Sequence, residues 1–511
     1  MESGNESSQS RASSSGVVLS VACFVVMVHL LTASRYGIFR DELYYIACAR
    51  HLGAGYVDHP PLIAWITWVV LHTLGLSLLA LRLLPALASG LLVWMTAMMA
   101  REWGGGGYAQ FLAALAIVPV PVYLILQHWL TMNAFEPLCW TGILWAASRI
   151  TLRRDPRYWI VVGVLVGLSL ENKYSIVFLV ASLTLGFLFT KERRWLKSSY
   201  FLGALAIAML LFLPNLVWLA RHGFPFLEFE RHSRESDSRI LRGPVSFLLD
   251  QARIMNPVLA PLWVAGLAWF FTRRGKALRC IGIAVLVVIL ILLVMQAKNY
   301  YVSPIYPVLF AGGAIAVERW FMQRNWLRVA YPVAILISGC IVAPLVMPIL
   351  PIPQFLAYHR LWRGFTPVVF ENEPERPLPQ YFADEFGWEA MAQTTAQVFH
   401  QLSPQEQVKT AIFANNYGEA AAIDFFGPRY GLPLSISKAQ TYWLWGRRQY
   451  DGQSVIVLGS DGRGDREFFR SVEPVARVQS LYSRADERFT IFYGRDMHPP
   501  LGVLWPQIKA W

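Results

Sequence analysis

Residues 16–42 read GVVLSVACFVVMVHLLTASRYGIFRDE, an uncharged apolar run that ends on an arginine and then reaches an acidic pair, Asp41-Glu42. A hydrocarbon core about 30 Å thick takes roughly 20 apolar residues of helix. The run 16–34 therefore reads as a retained membrane span, because no small-residue cleavage site follows it. Working outward, further apolar runs lie at 78–100, 108–126, 135–150, 157–171, 174–190, 199–219, 254–272, 279–297, 302–317 and 328–350, which makes about eleven transmembrane helices. The stretch 60–74 is short and carries two tryptophans, so it is expected to lie in the interface rather than to span. Of the 511 residues 55% are hydrophobic and only 15% charged, with a positive mean hydropathy; a soluble domain carries about a quarter charged residues.

The net charge of +12 is not spread over the chain. Five short gaps between apolar runs, at 101–107, 149–157, 191–197, 273–279 and 318–328, together hold 16 Lys and Arg against four Asp and Glu. That balance equals the whole net charge. Basic residues confined to alternate short loops follow the positive-inside rule and argue against a nucleic-acid partner. With the N-terminus cytoplasmic, all five basic gaps fall inside and the gaps 35–60, 127–134, 171–173, 220–253 and 298–301 fall outside. The five cysteines are scattered and form no CxxC pair, so neither a disulfide framework nor a zinc ribbon is implied.

Three regions are expected: a disordered cytoplasmic tail over 1–15, a transmembrane region over 16–350 with an outer loop at 35–77, and a domain over 351–511. The last has ordinary globular composition, with turn-rich pieces (PIPQ, NEPERPLP, GSDGRGD) and three short strand patterns, KTAIFA, QSVIVLGS and RFTIFYG. GEAAAIDFF reads as a helix after the first of them. The fold class is thus a polytopic α-helical membrane protein with a small C-terminal α/β domain, placed on the periplasmic side by eleven crossings of the inner membrane.

Ionisable groups at membrane depth or beside it are functional candidates, and here they gather in the outward gaps. Arg40, Asp41 and Glu42 follow the first span, and Asp58 and His59 precede the interfacial helix. His128, Asn133 and Glu136 lie in LQHWLTMNAFEP, Lys173 in ENKY, and Lys298 and Tyr301 in KNYY. A carboxylate can take the proton of an attacking hydroxyl, and lysines, arginine and tyrosine can hold a leaving phosphate. The set suits transfer of a sugar from a phospho-sugar. Each residue also has a bland reading: helix N-terminal charge for Asp41-Glu42 and Glu136, a turn acceptor for Asp58, snorkelling for Lys173 and Lys298. Convergence carries the functional one. Tyr417, Glu419, Tyr442 and Trp445 form a looser group in the C-terminal region, for which ordinary packing is the simpler reading.

The segments RDELYY, YVDHPPL, LTMNAFEP, ENKYS and KNYYVSPIYPVLFAGGA resemble the bacterial branch of the protein O-mannosyltransferase-like glycosyltransferases, over roughly residues 16–350. These belong to the GT-C superfamily, together with the aminoarabinose transferase that modifies lipid A. The resemblance implies a polyprenyl-phosphate sugar as donor, an envelope acceptor (lipopolysaccharide, another glycan, or an exported protein) and inversion at the anomeric carbon. It makes Asp41, Glu42 and Glu136 the catalytic acids, with Asp41 the base. It leaves Arg40, Asp58, His59, His128, Asn133, Lys173, Lys298 and Tyr301 to bind substrate. Family members often carry Lys or Gln where His59 stands. The sequence requires no cofactor; Asp58 and His59 are a possible pair of ligands for a divalent metal, but two ligands do not make a site. Its partners besides donor and acceptor are membrane lipids. A transporter or flippase of lipid-linked glycans is the alternative, and polar groups at span ends rather than mid-membrane favour the enzyme.

Overall fold

A computed structural model describes residues 2–235, 240, 243–362, 365, 367–370, 377–484 and 488–511, with side chains from residue 15 onward. The residues NEPER of one expected turn lie outside these. The chain divides into two compact units. The first comprises residues 1–35, 75–216 and 240–370; the second comprises 36–74, 217–239 and 371–511.

The first unit is helical. Among the described residues of the chain, six helices are long and apolar enough to cross a membrane: Ser15–Thr32, Leu78–Glu102, Ser199–Arg221, Lys276–Val294, Asn299–Gln323 and Asn325–Val346. Shorter apolar helices lie at Gly107–Ile117, Tyr158–Asn172, Ile176–Leu188 and Pro257–Trp269. This is a multi-pass membrane protein. The expected span 135–150 sits inside the helix Met132–Arg153. The expected span 108–126 is broken instead into Gly107–Ile117 and Pro121–Leu126, with Val120 extended between them. Pro119 and Pro121 supply no N–H to carry a helix across that point. The first helix runs from Glu2 to Thr32, so residues with the composition of a disordered tail continue it; extending an existing helix adds a hydrogen bond per residue without a new nucleus.

Helices in this unit approach closely where small residues meet. A Cβ placed on Gly266 would run into the carbonyl oxygen of Leu309, and one on Gly313 into that of Leu262, so Pro257–Trp269 and Asn299–Gln323 pack backbone to backbone. Apolar lipid offers no hydrophobic drive for association, and such close packing replaces it.

The basic gaps are joined to one another. Arg149 donates through Nε to Glu102 Oε2 at 2.9 Å. Glu318 accepts from the amides of Gly106 (2.8 Å) and Ala109 (3.0 Å). Trp159 Nε1 donates to Trp195 O at 3.2 Å, and Trp103 stacks on Trp269 with centroids 5.9 Å apart. All five gaps therefore share one end of the unit.

The second unit holds a five-stranded sheet: β1 (Thr410–Ala414), β2 (Ile436–Ser437), β3 (Ser454–Leu458), β4 (Phe469–Arg477) and β5 (Thr490–Met497), in the order β2-β1-β3-β5-β4. β2, β1 and β3 are parallel, with Phe413 opposite Ile436 and Val457; β5 is antiparallel to β3 and to β4. The expected strands are β1, β3 and β5, and the expected helix is Tyr417–Phe426. β2 is two residues long, and β4 is an edge strand with a register shift between Pro474 and Ala476, so neither shows an alternating pattern. Residues 36–74, expected to belong with the spans, cluster with this sheet instead. Their helix Arg40–Arg50 lies on Tyr417–Phe426, where a Cβ on Gly418 would come within 2.8 Å of Arg40 Cγ.

Replacing Gly266 by Leu should force the two helices apart at a cost of roughly 1–3 kcal/mol. Thermal unfolding of the detergent-solubilised variant should begin several degrees below the wild type; an unchanged transition contradicts the backbone-to-backbone contact.

Candidate active site

In the second unit Asp41 is the second residue of the helix Arg40–Arg50, and its side chain is 26% exposed. The Tyr417 hydroxyl donates to Asp41 Oδ1 at 2.8 Å, and Arg40 Nε lies 3.6 Å from the same oxygen. Among the described residues Oδ2 has no partner. Arg40 itself is held at several points. Its amide donates to Asp384 O at 3.0 Å, its Nη2 lies 3.9 Å from Asp384 Oδ2, and its guanidinium faces the Tyr417 ring at 5.3 Å. Arg484 Nη1 reaches Asp384 Oδ1 at 3.2 Å. Asp384 thus carries the two arginines, and Asp41 is left the more open of the two carboxylates.

Glu42 differs from its neighbour. It is 1% exposed, and its Oε2 accepts from the Phe39 amide at 3.0 Å. That is the reach-back contact of a third helical residue, which satisfies an orphan amide of the first turn. The spacing from Asp41 puts Tyr44 and Tyr45 on its helix face. The Tyr44 hydroxyl lies 2.8 Å from Asp58 Oδ1 and 2.9 Å from Thr441 Oγ1, and Thr441 Oγ1 accepts from the Val57 amide at 3.1 Å. Burial pushes the Asp58 carboxyl above its usual range, a push resisted by His59 and by the Tyr44 hydroxyl. The nearby Asp41 carboxylate adds a smaller push in the same direction.

His59 is buried and built into the turn. Its Nδ1 sits 2.8 Å from Pro60 O, and a carbonyl only accepts, so Nδ1 carries the proton. Its Nε2 faces the Cys48 thiol at 3.8 Å, and its ring stacks on Tyr56 with centroids 4.8 Å apart. Asp58 and His59 therefore spend their polar atoms on different partners. Among the described residues no group of three or more His, Cys, Asp or Glu side chains is placed to hold a metal ion. Tyr442 is buried with its hydroxyl on Asp424 Oδ2 (3.1 Å), and Glu419 closes a capping box with Asn416; both belong to packing.

In the first unit three of the outward gaps meet, those at 127–134, 171–173 and 298–301. Lys173 Nζ donates to Glu136 Oε2 and to Asn133 Oδ1, both at 2.8 Å, and Ser175 Oγ donates to Glu136 Oε1. The Lys173 ammonium also sits 4.2 Å above the Tyr301 ring and 5.3 Å from that of Tyr300. Glu136 and Lys173 are both buried, so they form a desolvated ion pair. Each Glu136 oxygen accepts one of these bonds, and Lys173 is turned to Glu136. Lys298 precedes the turn Asn299–Ile305 and is half-buried. His128 is placed elsewhere, in a buried group with Arg82 and His29. Arg82 Nη1 donates to Ala33 O at 2.7 Å and lies 3.3 Å from His128 Nε2. Sequence reading missed Tyr44, Ser175, Tyr300, Arg82 and Asp384. Tyr44 and Ser175 had a signal, in the helical spacing of DELYY and in the residue closing ENKYS; Asp384 and Arg82 had none.

Residues 58–218 match the family described as dolichyl-phosphate-mannose-protein mannosyltransferase. The lipid A galacturonosyltransferase RgtD of Rhizobium johnstonii is 25% identical over 331 residues, which cover 61% of this chain and 66% of that protein. The match thus leaves about a third of that relative unspanned. The apo crystal structure of ArnT from Cupriavidus metallidurans superposes with a TM-score of 0.60 at 16% identity, over 94% of this chain and 98% of that one. The same protein bound to undecaprenyl phosphate gives 0.59 at 15% identity over the same shares. These superpositions show a shared fold.

The ion pair makes a sharp prediction. Lys173→Met alone strands the buried Glu136 charge and should cost roughly 3–5 kcal/mol. Adding Glu136→Gln should restore most of the lost thermal stability. A double variant no more stable than Lys173→Met, measured as a double-mutant cycle, contradicts the pairing.

Proposed function

We propose that this chain transfers a sugar from a polyprenyl-phosphate donor to a hydroxyl of a lipopolysaccharide-type acceptor, with inversion, at the outer face of the bacterial inner membrane. The observation that carries the reading is Asp41: a half-open carboxylate with Oδ1 fixed by Tyr417 and Oδ2 unoccupied among the described residues. In the reaction Oδ2 takes the acceptor's hydroxyl proton while that oxygen attacks the anomeric carbon. The bond from that carbon to the phosphate oxygen breaks, and polyprenyl phosphate leaves with the electron pair. Tyr417 and Arg40 hold the base in place, and Asp58, poised by Tyr44 and Thr441, borders it. Lys298 and Tyr301 are the groups offered to the donor phosphate. Lys173 keeps Tyr301 in position from its seat on Glu136.

Two relatives support the choice of substrates: one is named a lipid A galacturonosyltransferase, and the other has been seen with undecaprenyl phosphate. Clustering of the basic gaps at one end of the first unit supports a cytoplasmic face there, an N-terminus on that side and residues 351–511 on the other.

Asp41→Asn should lower sugar transfer by roughly 10²–10⁴-fold, the usual share of a general base, with insertion and thermal stability unchanged. A variant with wild-type turnover sinks the assignment of the base.

A further inference from the structure

We propose that Arg50, His51, Trp445 and Arg448 form a docking surface for the phosphate-bearing saccharide of the acceptor. The identity of the partner rests on the transfer reading above; the surface itself rests on the geometry of the second unit. Arg50 ends the helix whose first turn carries Asp41, and its Nη1 donates to Asp424 O at 3.0 Å. Arg448 comes from a distant part of the chain, and its Nε donates to Ser435 O at 3.2 Å. Asp424 and Ser435 are themselves joined, because the Ser435 amide and hydroxyl donate to Asp424 Oδ1 at 2.7 and 2.8 Å. Two guanidiniums are therefore anchored on a single pair of bonded residues. Both side chains are exposed, and each spends one N–H on a carbonyl out of the five it owns.

The Asp424 carboxyl offers these guanidiniums little counter-charge: its oxygens already accept from Ser435 and Tyr442, and burial pushes it above the usual range against the pull of Arg448. Guanidinium forks match phosphate oxygens better than any other side chain. Beside them lies an aromatic pair. The His51 ring stacks on Trp445 with centroids 4.3 Å apart and planes at 21°, and Tyr442 braces the indole edge-on at 4.6 Å. Trp445 is half-buried, so its rim reaches the surface. The loop that presents this group turns through Gly446 at φ +86°, which glycine adopts freely, and holds Arg448, a residue with a Cβ, at φ +52°. Backbone held in that region at some cost recurs at ligand clamps. A fixed indole rim next to two anchored guanidiniums suits a sugar ring carrying a phosphate.

The test uses the full chain in detergent and three probes: deacylated lipopolysaccharide core oligosaccharide with its phosphates, the same oligosaccharide after chemical dephosphorylation, and polyglutamate. Wild type should bind the phosphorylated form at least about tenfold more tightly than either other probe, the scale of one or two charge-assisted hydrogen bonds. Arg50→Gln/Arg448→Gln should lose that preference. Equal binding of the three probes by wild type overturns the proposal without recourse to any variant, and so does a folded double variant that keeps the preference. Transfer by wild type is followed in parallel. A chain that prefers the phosphorylated probe yet transfers no sugar contradicts the transferase reading and leaves the surface standing, so the two failures are distinguishable.

Discussion

A bilayer core gives a backbone amide nothing to bond with, and the first unit is organised around that constraint. Its spans are helices, and where prolines break one at 119–121 the interruption is buried among other helices rather than left to lipid. Polar side chains are driven to the ends or into partnerships. One end gathers the basic gaps, tied by Arg149–Glu102 and by Glu318 on two amides. Another set of gaps gathers Glu136, Lys173, Asn133, Ser175 and the Tyr300-Tyr301 pair. A desolvated pair such as Glu136–Lys173 contributes little net stability against an apolar replacement but fixes one arrangement of the segments that carry it.

The second unit meets a different demand. Its base candidate lies on a helix that follows the first span, yet the groups that set its geometry come from far along the chain. Tyr417 orients Asp41, Asp384 anchors Arg40, and Thr441 lies against Tyr44 beside Asp58. Gly418 makes this possible, because any side chain there would collide with Arg40. The α/β sheet is therefore part of the frame of the candidate site rather than an appended module, and the same frame carries Arg50 and Trp445 to its surface.

The membrane class was legible because hydropathy is a local property: apolar runs, basic gaps and three of the five strands are written in consecutive residues. The break at 118–120 was also written there, in two prolines, but the apolar composition masked it. The site was legible in part. Asp41, Asp58, Glu136 and Lys173 stand out as charges near spans, yet their roles depend on partners that no local pattern names. Glu42 and Asp41 are adjacent and chemically alike, and only the third dimension separates a carboxylate that closes a helix end from one with an open oxygen. Lys173 reads as a lone cation beside a span, and only the structure sets it 2.8 Å from Glu136. The grouping of residues 36–74 with the C-terminal sheet was beyond reach, since it depends on a glycine whose only signal is the absence of a side chain.

The most direct measurement is the fate of labelled sugar supplied on a panel of synthetic polyprenyl-phosphate donors to membranes containing the wild-type chain. The account predicts that one donor yields label in lipopolysaccharide and an equal amount of free polyprenyl phosphate. Intact lipid-linked sugar that crosses the membrane with no polyprenyl phosphate released would contradict it, and would make the chain a carrier rather than a transferase.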